Sequence, residues 1–470
     1  MSEAFVDSLG PQLDGLLISW LEKARLPGVA AGIVRDQSLV WRKGYGHSDM
    51  ERHRRPDELT LSRVASITKT FTTLSVLQLR DDGLLTLEDP LVLHIPEFGA
   101  ANPTAGRLED VTIKRMVTHR SGLTTEPPLP GWGALSFPTM NAIVAALPQA
   151  EVAILQDSAF KYSNFAFALL GEVIARLSGR PYVEYVKANI LGPLGMTLTD
   201  FDLSLDMQPH SATGYSPSEH EDRPVKAPYA HMAGMCAAGQ LHSNVRDLAK
   251  WISFQFKTDG GDRDDTKGQV LAGTALEEMH RPVYLEPDWS AGQALGWRVV
   301  RVGGRVFHNH GGGIHGFGSN VAFHKPSKTG VVVLANIWPT VAAAQIAQDM
   351  LGLVLDADAN AVKTTARQEP ALPGNAPATL TEYMGRYRAE PGIPALIEYR
   401  GGALRLVGPE PEAYTLHAPA TLELTGTSDA LMVRGGRGSG ELAVFKRDSN
   451  GGIASYELGG FVFKRHAPTG

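Results

Sequence analysis

The period of the apolar positions changes along the chain, and each change predicts a different kind of element. Between residues 4 and 25, Phe5, Leu9, Leu13, Leu16, Leu17, Trp20 and Leu21 recur at helical spacing, and Pro27-Gly28 ends the run. Two strand-like pieces follow, residues 29–34 and 39–44, across the polar turn Arg35-Asp36-Gln37-Ser38. Residues 61–251 carry the pattern of helices and long loops. Strand patterns return at 294–302, 305–308, 317–324 and 330–336, followed by an amphipathic helix over 340–355. A sheet fed from both ends of a domain, with a helical insertion between, predicts a mixed α+β fold with a cleft at the sheet–helix boundary.

Residues 356–379 are rich in Ala, Pro, Thr and Asn without an apolar period and predict a linker. Beyond them, short alternating segments at 395–399, 403–407, 442–446 and 460–464 are separated by turns such as Arg400-Gly401-Gly402 and Asn450-Gly451-Gly452. That spacing predicts a small antiparallel barrel or sandwich. The expected organisation is a catalytic domain over 1–355, a linker over 356–379 and a β-domain over 380–470, in keeping with a length of 470 residues that exceeds one ordinary core.

The net charge of −6 is spread among interspersed charges with no basic block, which disfavours nucleic acid as a partner. Cys236 is the only cysteine, so no intrachain disulfide can form. The first residues, MSEAFVDSLG, lack a basic stretch followed by an apolar core, and no apolar run approaches the roughly 20 residues that span a bilayer. The expectation is a cytoplasmic protein with no membrane partner.

Val64-Ala65-Ser66-Ile67-Thr68-Lys69 opens a long helical run closed by Asp81-Asp82-Gly83. Residues three apart share a helix face, so Ser66 and Lys69 can meet. A serine hydroxyl needs a base to become a nucleophile, and a desolvated lysine can serve. The helix N-terminus adds a backbone N–H for a developing oxyanion. Ser158-Ala159-Phe160-Lys161 has the same spacing but no long helix starting at its serine. The bare S-x-x-K pattern is weak by itself.

Other features turn it into a constellation. Lys161-Tyr162-Ser163-Asn164 opens a helical stretch at 165–177, and Asn309-His310-Gly311-Gly312-Gly313-Ile314-His315-Gly316-Phe317 comes later. Met116-Val117-Thr118-His119-Arg120-Ser121-Gly122-Leu123 and Gly192-Pro193-Leu194-Gly195-Met196 accompany them. In this order, residues 10–355 resemble the serine β-lactamase and penicillin-binding-protein superfamily, especially its class C-like branch with class VIII esterases and D-amino-acid-specific peptidases. The part after the linker resembles the lipocalin-like module attached to some of those peptidases. The resemblance implies that Ser66 is acylated, that Lys69 is its general base, and that Tyr162, as a phenolate favoured by Lys69, passes a proton to the leaving group. It also implies that Asn164 bonds substrate and Lys69, that His310-Gly311-Gly312 forms a cleft edge, and that the N–H groups of Ser66 and Gly313 hold an oxyanion. His315 is expected to line the cleft. His310 stands where the branch usually carries lysine, so the site is expected to favour esters or uncharged amides over substrates that need a fixed cation.

Other motifs in the chain read differently. Lys328-Thr329-Gly330 is a literal K-T-G, but Pro326 beside it predicts a hairpin turn. His308, His310 and His315 lack a carboxylate partner for zinc. Gly46-His47-Ser48-Asp49 lacks the second glycine of a nucleophile elbow, leaving an α/β-hydrolase unsupported. Cys236 sits among small apolar residues as filler, and Trp132, Trp289 and Trp297 are core by default. No cofactor is called for. The leading expectation is a serine hydrolase of small esters or amides. The alternatives are a peptidase of short or D-residue peptides and a non-catalytic binding protein, with homo-oligomers possible through the C-terminal domain.

Overall fold

The computed structural model describes residues 8–132, 134–217, 223–257, 270–338, 341–368, 376–389, 393–407, 420–435 and 438–466. The chain divides into two compact units, Met1–Ala357 and Asp358–Gly470.

The first unit is built on eight strands: β1 (Gly28–Arg35), β2 (Ser38–Gly46), β3 (Tyr284–Leu285), β4 (Ala291–Gln293), β5 (Arg298–Val302), β6 (Arg305–Ile314), β7 (Phe317–His324) and β8 (Thr329–Ala335). Their order is β2-β1-β8-β7-β6-β5-β4-β3, antiparallel throughout. The two ends of the domain meet where β1 pairs β8, Ile33 opposite Val331 and Val29 opposite Ala335. Both strands are almost wholly buried, which is why they read as continuous apolar runs rather than alternating ones.

Five helices matter below: α1 (Gly10–Lys23), α2 (Thr68–Asp81), α3 (Asn164–Ser178), α4 (Val245–Gln255) and α5 (Ala342–Gln368). On one face of the sheet, Leu13 and Leu17 of α1 and Ile346, Met350 and Val354 of α5 pack on Ile33, Val331 and Val333. On the other, Phe71 and Leu74 of α2 and Trp251 and Ile252 of α4 join Val332 and Leu334. Phe71 stacks on Trp251 with ring centroids 3.9 Å apart. That contact draws α2, and with it the Ser66–Lys69 segment, against the sheet.

Three boundaries differ from expectation. The stretch 294–302 is not one strand: Gly296 at φ +70° turns the chain between β4 and β5, so that Gln293 pairs with Arg298. β6 does not stop at His308 but runs through the glycines to Ile314. The helix expected to end at residue 355 continues to Gln368, into the stretch expected as a linker. Its Asp-Ala-Asp-Ala-Asn-Ala-Val-Lys sequence lacks an apolar period and mixes helix-favouring Ala with the poorer helix formers Asp and Asn, so periodicity alone misses it. Helix α1 is described from Gly10, and residues 4–7 of the expected helix lie outside the described residues.

In the second unit, eight strands follow one another in space as in sequence and close into a barrel: β9 (Gly385–Ala389), β10 (Ile393–Arg400), β11 (Ala403–Val407), β12 (Ala420–Leu424), β13 (Ala430–Arg434), β14 (Leu442–Arg447), β15 (Ile453–Leu458) and β16 (Phe461–His466). Closure is made by β9 on β16, Tyr387 opposite Arg465. Alternate residues point inward, and Tyr387, Leu404, Leu422, Phe445, Tyr456 and Phe463 share one core. Among the described residues no helix is long and apolar enough to cross a membrane.

Candidate active site

The backbone is bent sharply just before the candidate nucleophile. Ala65 has φ +47°, a region costly for a residue with a Cβ, and Ser66 sits in a 3-10 turn (Ala65–Ile67) that runs into α2. Sequence periodicity placed Ser66 in the first turn of the α-helix; it lies one turn earlier. The Thr68 hydroxyl pins this turn, donating to the Ala65 carbonyl at 2.6 Å and accepting the Leu241 N–H at 3.2 Å.

Lys69 is fully buried. Its Nζ is 3.0 Å from Ser66 Oγ, 2.7 Å from Asn164 Oδ1 and 2.6 Å from the Ala238 carbonyl. Burial pulls its pKa down to about 7, against the pull of the Glu126 carboxylate. A neutral amine has two N–H donors and one lone pair. Asn164 Oδ1 and the Ala238 carbonyl can only accept, so they take both donors. The lone pair is left for the Ser66 proton.

Tyr162 Oη donates to Ser66 Oγ from the other side at 2.8 Å. It stands just before α3, whose cap is Ser163; the Ser163 hydroxyl accepts the Ala166 N–H at 2.9 Å and donates to the Thr124 carbonyl at 2.7 Å. Beneath the phenol lies His119, ring centroids 4.3 Å apart, with Nδ1 accepting the Ser163 N–H at 3.1 Å. Lys69 Nζ is 4.9 Å from the Tyr162 ring centroid, over the ring. The expected phenolate is not what this environment favours. Burial raises the pKa of Tyr162 above its ordinary 10, and Glu126 pushes the same way, so the group is a neutral phenol that donates. Asn164 uses both ends of its amide, Oδ1 on Lys69 and Nδ2 on Glu126 Oε1 at 2.6 Å.

The third segment is strand rather than loop. β5 pairs with β6 only as far as Asn309, so from His310 onward β6 has a free side facing the cleft. His310 is held neutral: burial and nearby Lys69 bring its pKa to about 4, and its Nδ1 is 2.8 Å from the Gly311 carbonyl. A Cβ on Gly312 would lie 2.1 Å from the Val64 carbonyl oxygen, and one on Gly313 would lie 2.4 Å from Trp338 Nε1. Gly312 is needed because β6 presses against the backbone of the turn that carries Ser66, and Gly313 because the Trp338 indole lies over it. Ser319 Oγ donates to the same Val64 carbonyl at 2.9 Å.

Ser66, Tyr162, His310 and Gly313 line one cavity of about 430 Å³, with Lys69 and Asn164 hydrogen-bonded behind Ser66. Gly312 is packed on Val64 rather than lining that cavity. His315 also lies outside its wall, in the turn after β6, with its ring 5.6 Å from Trp132 and 5.9 Å from Trp338.

The rival motifs find other uses. Ser158 Oγ donates to the Leu155 carbonyl while Lys161 Nζ bonds Thr125, so the second S-x-x-K does not pair. Lys328 sits at φ +49° in the turn between β7 and β8. His308 Nε2 bonds the His280 carbonyl at 2.8 Å and its ring stacks on Phe323. Ser48 is buried and bonds the Arg54 carbonyl. Burial pushes the Cys236 thiol up to about 12, away from nucleophilic use. Trp297 is buried core, Trp289 is exposed, and Trp132 packs on Phe137 beside His315.

Sequence reasoning missed Glu126, His119, Trp338 and the Ala238 carbonyl. Glu126 lies in an aperiodic Thr-Thr-Glu-Pro-Pro loop that offers no signal. His119 stood inside a phrase already singled out, but its place under Tyr162 follows only from the fold.

The Beta-lactamase family model matches residues 13–354. The chain belongs to the β-lactamase family. Protein flp of Staphylococcus aureus (strain N315) is 28% identical over 326 residues, 69% of this chain and 63% of that protein, so the chain spans less than two-thirds of this relative. Beta-lactamase-like protein 2 of Dictyostelium discoideum is 26% identical over 332 residues, 68% of this chain and 58% of that protein. Among solved structures, the octameric penicillin-binding protein homologue from Pyrococcus abyssi superposes over 96% of this chain and 99% of its own, with TM-score 0.61 and 23% identity. The β-lactamase/D-alanine carboxypeptidase from Yersinia pestis, complexed with citrate, covers 75% of this chain and 99% of its own, with TM-score 0.62 and 21% identity. At these identities the structural likeness is one of fold. For a β-lactamase-family chain, the placement of Ser66, Lys69 and Tyr162 around one hydroxyl is the feature that bears on chemistry.

Proposed function

We propose that this chain is a serine hydrolase that cleaves a small ester or amide through an acyl-enzyme on Ser66. One observation carries the reading: Ser66 Oγ is held between the Lys69 amine at 3.0 Å and the Tyr162 hydroxyl at 2.8 Å. The Lys69 lone pair takes the Ser66 proton as Oγ adds to the substrate carbonyl, and the N–H groups of Ser66 and Gly313 receive the oxyanion. Tyr162 gives its proton to the leaving alkoxide or amine, and the Lys69 ammonium restores it. Water then cleaves the acyl ester; its proton passes through the same pair and Ser66 regains its hydrogen. Asn164 keeps Lys69 aimed at Ser66 and has a second amide N–H for substrate. Neutral His310, with Gly311 and Gly313, shapes the strand side of the cleft.

A fluorophosphonate should label one residue per chain, Ser66, and Ser66→Ala should abolish labelling and turnover while the far-UV spectrum is kept. Labelling elsewhere, or turnover undiminished in the variant, refutes the proposal; a native chain that is never labelled favours a binding protein of the same fold.

Peptide hydrolysis is the second reading. The closed eight-stranded barrel supports likeness to the lipocalin-like module of D-amino-acid-specific peptidases. Amide turnover of a D-alanyl substrate well above that of a p-nitrophenyl ester would favour it. The octameric homologue supports assembly of copies of this chain as well, and a monomeric mass in solution would count against it.

A further inference from the structure

Two imidazoles line the cavity beside Ser66 and Tyr162, and each has one ring nitrogen committed to the backbone. His119 is wedged among Phe160, Tyr162 and Phe167, with ring centroids 5.5, 4.3 and 5.1 Å away. Its Nδ1 accepts the Ser163 N–H at 3.1 Å. His310 stands across the cavity on β6, with Nδ1 2.8 Å from the Gly311 carbonyl. Neither Nε2 bonds a described residue, and neither is sealed off from the cavity.

These contacts fix the tautomers. Burial, with Lys69 nearby, holds both rings well below the usual histidine value, so each carries a single ring proton. The Ser163 N–H occupies the His119 Nδ1 lone pair, so the His119 proton is on Nε2, a donor. A carbonyl only accepts, so the His310 proton is on Nδ1 and its Nε2 is a bare lone pair, an acceptor. The cavity therefore presents one fixed donor on its Tyr162 side and one fixed acceptor on its strand side. In so dry a place both are costly unless a ligand meets them.

An amide meets both, because its carbonyl accepts and its N–H donates. An ester offers only acceptors and an ammonium only donors. Arg298 also lines the cavity, which makes a carboxylate the competing occupant, but a carboxylate would set an oxygen lone pair against that of His310 Nε2. His119 packs on the Tyr162 ring, on the side where the departing group is protonated.

We propose that His119 and His310 form a neutral clamp for an amide on the portion of the substrate that departs, its carbonyl taking the His119 Nε2 hydrogen and its N–H meeting the His310 Nε2 lone pair. The clamp rests on the hydrolase reading only for the direction of cleavage.

Three aryl acetates on the full chain test it. The phenol released from 3-acetoxybenzamide carries an amide, that from methyl 3-acetoxybenzoate keeps the carbonyl without an N–H, and that from phenyl acetate has neither. The amide should exceed the methyl ester in kcat/KM by at least about tenfold, since the ester leaves the His310 lone pair unmet. His310→Asn and His119→Asn keep a polar atom near Nδ1 for the backbone contact and remove Nε2. The first should bring the amide-to-ester ratio near unity. The second should lower both carbonyl-bearing substrates against phenyl acetate by at least about tenfold and leave the amide-to-ester ratio in place. A native amide-to-ester ratio near unity, or one unmoved by His310→Asn, overturns the clamp, as does an amide-to-phenyl-acetate ratio unmoved by His119→Asn. Calorimetry of 3-hydroxybenzamide, methyl 3-hydroxybenzoate and 3-hydroxybenzoate on Ser66→Ala protein reads the clamp without turnover. Tightest binding of the amide, weakened at least about tenfold when His310→Asn is added, supports it. Absent or equal binding, or tighter binding of the carboxylate, overturns it even if all three acetates are hydrolysed. Amide-selective binding with no acetate turned over sinks the hydrolase reading and keeps the clamp.

Discussion

Ser66 Oγ lies between two neighbours, Lys69 and Tyr162, whose environments drive their pKa values apart. Burial lowers Lys69 to about 7 and raises Tyr162 above its ordinary value, so near neutrality one is a base and the other an acid. The proposed mechanism needs Lys69 neutral, and the neutral fraction grows as pH rises, so kcat/KM should climb with an apparent pKa near 7. Tyr162 adds no falling limb around neutrality, and His310, at about 4, adds no step near the usual histidine value. A flat profile through pH 7 would contradict this assignment. Glu126 favours the lysine cation, so Glu126→Gln should move the rising limb to lower pH. Lys69→Ala and Tyr162→Phe should each cost roughly 10²- to 10⁴-fold in kcat, read by steady-state kinetics. The serine, lysine and tyrosine are legible as letters at recognisable spacings. Glu126 is not, because its influence is a distance across space with no sequence period behind it.

At the scale of elements, the site is a junction between a strained turn and a strand with one free side. β6 carries three consecutive glycines, Gly311, Gly312 and Gly313. Two of them are required by the protein itself, since Gly312 meets the Val64 carbonyl and Gly313 meets Trp338. Gly312→Ala should therefore destabilise the fold by about 1–3 kcal/mol, as overpacking against backbone does, and slow labelling of Ser66 by displacing its turn. Gly311→Ala is the control, because its Cβ would stop 3.4 Å from the Asn320 amide, a side chain that can give way. Equal losses of melting temperature in both variants would refute the distinction. Helix and strand identities were readable because periods of 3.6 and 2 survive burial of one face. Ends were less so: Gly296 breaks a strand, β6 outruns its apolar pattern, and α5 continues past its apolar period.

At the scale of the molecule, each unit has its own hydrophobic clusters, and the described residues of the candidate site all belong to the first. A chain ending after Gln368, which keeps the buried face of α5 intact, should still be labelled at Ser66. Loss of labelling in a folded truncation would mean that the barrel contributes to the site. The chain order alone determined the mixed fold, the closing β-domain and the Ser66–Lys69 pairing, because these depend on periods and spacings that local geometry turns into shared faces, while the family and Tyr162 were legible only through an ordered set of motifs that resembles a known superfamily. Tertiary structure decided the rest. Desolvation pulled the pKa of Lys69 down and pushed that of Tyr162 up, the packing of β6 on the Ser66 turn made Gly312 obligatory, and strand register left one side of β6 unpaired from His310 onward. Each of those depends on groups far apart in sequence sharing a dry, crowded space, and one-dimensional order does not specify that space until the chain has folded.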